Sequence, residues 1–209
     1  MTQSPSFTLF AQHGWADTHH KINTLAQQLA PDQTVITPNL GWLKTWWRID
    51  PLIEQVEQIA KKQFQNSPQQ SWRILGHSMG GLIWLELLNR HPQWWTKIHS
   101  LVLVASPVGG ADLAYLLDPQ GWGLGIAQDL AQNRRSLAEK IAQQIPTLSI
   151  AGDIDQGSDG TILVESTQFA YAQSATVPVS HPRLKNHADL IPIIRAFWQN
   201  PSISPLPKT

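Results

Sequence analysis

Ser78 lies in Gly76-His77-Ser78-Met79-Gly80, a spacing that can turn an ordinary alcohol into a nucleophile. At neutral pH a serine hydroxyl attacks poorly. It needs a base within hydrogen-bond reach, and that base needs an acid to fix its tautomer. The G-x-S-x-G pattern is short and gains meaning from its surroundings. Here Trp72–Leu75 is an apolar run long enough for one buried strand, and Gly81–Arg90 reads as a helix rich in Leu and Ile on nearly every side. His91-Pro92 ends that helix, since the residue before proline avoids helical angles. Strand, sharp turn and buried helix would hold the serine strained above a sheet, with Gly76 and Gly80 leaving room for the two backbones. The Met79 amide would then point where an oxyanion forms.

Such groups gather at the carboxyl ends of strands, so the base and the acid are sought just after strands, in the order serine, acid, histidine. Of eight histidines, His181 and His187 follow both Ser78 and a credible acid. His181 comes immediately after the last apolar run, before Pro182. His187 sits in Asn186-His187-Ala188-Asp189-Leu190, entering the last helix. A base needs reach above the sheet, which favours His187 and leaves His181 as the alternative. Asp153, Asp155 and Asp159 share one turn. Asp159 is favoured, because a turn glycine and an apolar segment follow it and would anchor its carboxylate. Asp155 is the second choice, Asp153 suits a turn-satisfying role, and Asp112 is a distant further option.

His13-Gly14-Trp15 ends the first apolar run. A glycine there lets the chain turn an amide toward the serine, so Trp15 N–H is the expected second oxyanion donor beside Met79 N–H, with Ala16 as its substitute. His19 and His20 are adjacent and cannot share one helix face, so no metal pair is expected.

These groups need a scaffold. Ser6–Ala11, Thr34–Thr37, Trp72–Leu75, Ser100–Ala105, Pro146–Ala151 and Thr176–Val179 read as six strands. Helices are expected over Asp17–Ala30, from Asp50-Pro51 onward, over Gly81–Arg90, within Ile126–Ile145, over Ser166–Ala172, and from Leu190. A further short helical piece is expected around Asp112–Leu117. Alternating strands and helices imply a parallel sheet covered on both faces. The expected spatial order is 2-1-3-4-5-6, with Ser78 after the third strand. Residues 1–200 read as one domain and 201–209 as a disordered tail.

The 209 residues carry zero formal net charge, with a pI near 7.1, and no basic stripe, so nucleic acid is not an expected partner. There is no cysteine, which excludes thiol and disulfide chemistry. The first fifteen residues lack a basic region and a long apolar run, so no signal peptide is expected. No stretch has the length of a membrane span. A cytoplasmic protein is the resulting expectation. Ten tryptophans are present. Trp42, Trp46 and Trp47 follow the second strand and would fall at the same edge as Ser78, where they could wall an acyl chain or pack the loop.

From Ser6 to Trp198 the chain resembles an α/β-hydrolase of the small bacterial lipase and esterase kind. Gly76–Gly81 is similar to the serine elbow of bacterial lipases, and His13-Gly14-Trp15 to the oxyanion turn of small carboxylesterases, pimeloyl-ester esterases among them. Asp159–Ser166 resembles a D-G-x-V-P-V-x-S acid loop, with Leu163 in place of proline. Asn186–Leu190 resembles an N-H-x-D-L histidine loop. The resemblance implies hydrolysis of small-molecule acyl esters or lipids through an acyl-enzyme on Ser78, His187 and Asp159, without a cofactor. A thioesterase or acyltransferase would use the same three residues, and a non-catalytic scaffold would keep only the fold. Family members usually place two antiparallel strands ahead of the oxyanion strand and a fuller cap between strands four and five, so a reduced, about six-stranded α/β/α sandwich with a minimal lid is expected.

Overall fold

The computed structural model describes residues 6–111 and 125–204. Among them six strands form one parallel sheet: β1 Phe7–Gln12, β2 Thr34–Ile36, β3 Ser71–His77, β4 Ile98–Val104, β5 Thr147–Gly152 and β6 Gln173–Val177. Their order is β2-β1-β3-β4-β5-β6, as the sequence predicts. Eight helices connect them among the described residues: α1 His19–Leu29, α2 Asp50–Asn66, α3 Met79–Arg90, α4 Gly125–Ala131, α5 Arg135–Ala142, α6 Val164–Thr167, α7 His181–Leu184 and α8 Leu190–Gln199. The helical piece expected around Asp112–Leu117 lies outside the described residues.

Side chains alternate across the sheet with the period of two that a pleated strand imposes. Phe10, Trp72, Ile74, Leu101 and Leu103 pack on one face with α2 to α5. Leu9, Ala11, Leu75, Val102, Val104, Leu148 and Ile150 pack on the other with α1 and α8. Nine of the twelve residues of α3 are buried. That explains its apolar sequence all round: a helix with no polar face belongs inside. The α3 helix sits directly behind Ser78, so this buried helix fixes the turn that carries the serine. No helix among the described residues is long and apolar enough to cross a membrane.

Ser204 N–H donates to Tyr171 O at 3.0 Å, and Gln173 Nε2 donates to Ser202 Oγ at 2.8 Å, so residues 201–204 are tied to the start of β6. Residues 205–209 lie outside the described residues.

Candidate active site

The strand order reverses between β1 and β3, and a crevice opens at the carboxyl ends of strands at such a switch. The register puts Gln12 opposite Gly76, so the turns that follow, His13-Gly14-Trp15 and His77-Ser78-Met79, run side by side. Ser78 has φ 55° and ψ −127°, a positive φ that costs a non-glycine residue about 1–3 kcal/mol. Two contacts hold it there. Ser78 N–H donates to Val104 O at 2.8 Å. Gly76 lies so close to Gly81 that a Cβ at position 76 would collide with its backbone.

His181, not His187, is the histidine that reaches the serine. Its Nε2 is 3.1 Å from Ser78 Oγ, and its Nδ1 is 2.7 Å from Asp159 Oδ2. A carboxylate oxygen accepts, so Nδ1 carries the proton and Nε2 turns its lone pair toward the serine hydroxyl. The expectation for His187 is corrected for a geometric reason. The sixth strand ends at Val177, earlier than its apolar run suggests, so residues 178–180 already form the connection that leads to His181 at the start of α7. His187 lies a helix further on. Its ring faces Asp189, with Nδ1 3.6 Å from Oδ2.

Asp159 is 1% exposed. Its Oδ1 accepts from Thr161 N–H at 2.9 Å and Ile162 N–H at 2.6 Å, which leaves Oδ2 for His181. Asp153 instead accepts from Gly157 N–H at 2.9 Å, the turn role expected of it, and Asp155 is exposed. Asp112 lies outside the described residues.

The His13-Gly14-Trp15 turn is built around His13, whose part the sequence does not reveal. Leu40 N–H can only donate, so His13 Nε2 accepts it at 3.1 Å, and Nδ1–H donates to Gly14 O at 3.0 Å. A Cβ on Gly14 would stand 2.9 Å from Ser78 Cβ and 3.3 Å from Met79 N, so only glycine lets this turn lie against the elbow. Neither Trp15 N–H nor Met79 N–H donates to an acceptor among the described residues. Ala16 N–H donates to Thr45 Oγ1 at 3.0 Å, which removes it as a substitute donor.

A cavity of about 250 Å³ opens over Ser78, lined by Trp15, Ala16, Asp17, His77, Leu130, Thr161, His181, Pro182 and Lys185. Lys185 Nζ and Asp17 Oδ2, 2.6 Å apart, brace the histidine loop against the oxyanion turn. Of the two roles open to Trp42, Trp46 and Trp47, walling the site or packing the loop, none of the three lines this cavity among the described residues. Trp46 packs edge-on behind Trp15 with centroids 4.4 Å apart, Trp42 Nε1 donates to Ala16 O, and Trp47 is 68% exposed. Trp46, with Trp42 packed on it, backs the wall that Trp15 forms.

The sequence profile for the alpha/beta hydrolase fold matches residues 8–140. The chain belongs to this family. Solved structures resemble this chain over nearly its whole length at low identity. A Bacillus licheniformis lipase in its propeptide form superposes with a TM-score of 0.73 at 14% identity. That match covers 99% of this chain and 53% of the lipase, so the chain spans about half of that relative's length. The mature form of the same lipase gives 0.66 at 14% identity, with 95% of each chain covered. A bromoperoxidase from Bacillus anthracis gives 0.67 at 15%, covering 94% of this chain and 93% of that one. No curated protein matches the sequence.

Two buried imidazoles, His13 and His77, make stability pH-dependent, and burial holds the half-buried His99 low in the same direction. Burial holds His13 below the ordinary histidine value of 6.5 and His77 well below it. Each binds a proton less readily in the fold than in the unfolded chain, so below pH about 6.5 unfolding takes up protons at both. The unfolded chain then binds more protons, so stability is complete above that pH and is lost as pH falls toward the folded values. Each contributes a slope of up to about 1.4 kcal/mol per pH unit. Denaturant melts at pH 5, 6 and 7 should show stability falling with pH, and His13→Gln and His77→Gln should each flatten the fall.

Proposed function

We propose that the chain is a serine hydrolase that cleaves carboxylic esters through an acyl-enzyme. The observation that carries this reading is the hydrogen-bonded series Ser78 Oγ, His181 Nε2, His181 Nδ1 and Asp159 Oδ2, opening into a cavity that Ser78, Trp15 and His181 line. In this reading Ser78 Oγ attacks the ester carbonyl carbon while His181 Nε2 takes its proton. The carbonyl oxygen becomes an oxyanion held by Trp15 and Met79 N–H. The tetrahedral intermediate collapses, the C–O bond to the alcohol breaks, and His181 returns the proton to the leaving alkoxide. Water then repeats the sequence on the acyl-enzyme, releasing the acid and restoring Ser78. Asp159 stays a carboxylate throughout, steadying the imidazolium that forms twice. The substrate is a small acyl ester or lipid, and the lining of Trp15, Leu130 and Pro182 suits an apolar acyl group.

A fluorophosphonate probe tests the reading. It should label the native protein at Ser78, with the adduct mapped by peptide mass, while Ser78→Ala should not label. Absence of labelling together with no turnover on ester and thioester panels of graded acyl length would sink it.

A further inference from the structure

His77 precedes the nucleophile, lines the same cavity and takes no part in the chemistry above. It is 3% exposed, and its Nε2 lies 3.3 Å from the main-chain oxygen of His181. A carbonyl only accepts, so His77 Nε2 carries the proton and donates it. His77 Nδ1 is buried with no partner among the described residues. An imidazole with one nitrogen unsatisfied is a costly way to fill a core position. Leucine or methionine would fill it without that loss.

The carbonyl it holds belongs to the residue that carries the base. His181 N–H donates to Asp159 O at 3.0 Å on the other side of the same residue. The main chain of His181 is therefore gripped at both polar groups, by the acid loop and by the residue before the serine. Pro182, next in the chain, has no N–H and a fixed φ, so it adds rigidity but no hydrogen bond. His77 and Ser78 are consecutive, so this grip ties the position of the base directly to that of the nucleophile.

We propose that His77 is a positioning residue: by donating to His181 O it sets the imidazole of His181 in register between Ser78 and Asp159. This rests on the reading of Ser78, His181 and Asp159 as the reacting set. The ring must stay neutral to do it without harm. Its centroid is 5.0 Å from that of His181. A proton on His77 would set a cation beside the imidazolium that forms during turnover. The charged or titratable groups facing it are His181 on α7, Lys185 in the loop beyond, and His13 on the oxyanion turn, and each disfavours a proton on His77. Of these, Lys185 is paired with Asp17 and His181 with Asp159.

The test compares three variants. In His77→Gln an amide N–H reaches about as far as Nε2. In His77→Asn it falls short by one methylene, and His77→Met removes it at similar volume. Misplacing a reacting group by about 1 Å can cost 10²-fold in rate. His77→Met and His77→Asn should therefore lose about 10- to 100-fold in kcat on an activated ester with KM within about twofold, and His77→Gln should recover most of that loss. A second readout needs no turnover. The far-downfield proton resonance of His181 Nδ1–H should be present in the native protein and His77→Gln, and broadened or lost in His77→Met and His77→Asn. If His77→Asn and His77→Met keep the resonance and kcat, or if His77→Gln falls as far as they do, the assignment is overturned. If the native protein turns over no ester while the resonance follows the expected pattern, the positioning role stands and the ester reading fails.

Discussion

If the chain hydrolyses esters as proposed, His181→Ala should abolish turnover to the same depth as Ser78→Ala, about 10⁶-fold in kcat, and the double variant should lose no more than either single one. The reason is mutual dependence. Without the imidazole 3.1 Å from its oxygen, Ser78 has no acceptor for its proton. Without the hydroxyl, His181 has nothing to activate. What remains is the contribution of binding and the oxyanion amides, roughly 10³- to 10⁴-fold over water. His187→Ala should stay close to native, because its ring faces Asp189 at the start of α8 and not Ser78. The measurement is kcat on one activated ester for the four variants, with thermal melts to show that each is folded. A dead His187→Ala beside an active His181→Ala would reverse the assignment of the base.

Why Ser78 was legible and His181 was not follows from the range of the signals. The serine elbow is local: strand, turn and buried helix fall within Ser71–Arg90, and the glycines that permit the strained turn are beside the serine in the chain. The sheet was legible for a similar reason, since each buried strand is a short apolar run between helical segments. The histidine is a question of distance. His181 and His187 stand six residues apart after the same strand, and which one meets Ser78 depends on where β6 ends. Its apolar run reads to Val179 while its pairing stops at Val177, and those residues supply the reach that seemed to require His187. The N-H-x-D-L likeness of Asn186–Leu190 pointed the same way, although that segment only leads into α8.

The tryptophan loop fails for another reason. Tryptophan buries large area wherever it stands, so its type does not tell which wall it supports. Trp15, beside the expected oxyanion glycine, takes the cavity wall, and Trp46 fills the space behind it. His13 was equally hidden. Its two hydrogen bonds join residues 26 apart in the chain, Gly14 and Leu40, and nothing in the local sequence announces that meeting.

Asp159→Asn should cost about 10⁴-fold in kcat, the loss seen when the orienting carboxylate of a serine triad becomes an amide. The structure gives the reason atom by atom. Asp159 Oδ1 is held by the Thr161 and Ile162 amides, and an asparagine keeps its oxygen there, because those two N–H groups donate and need an acceptor. Its NH₂ must then face His181 Nδ1. An NH₂ donates, so Nδ1 becomes the acceptor and the ring proton moves to Nε2, where it confronts the Ser78 hydroxyl instead of receiving its proton. The backbone bonds of the loop, Asp159 N–H to Ile162 O and His181 N–H to Asp159 O, do not depend on the side chain, so folding should survive. Asp155→Asn should leave kcat near native, since that side chain is exposed. Asp153→Asn should do the same in kcat while loosening the turn that its bond to Gly157 N–H closes. The check is kcat for the three variants beside their thermal melts and the proton resonance of His181. Full activity in Asp159→Asn, or a dead Asp155→Asn, would remove Asp159 from the reacting set while leaving Ser78 and the fold in place.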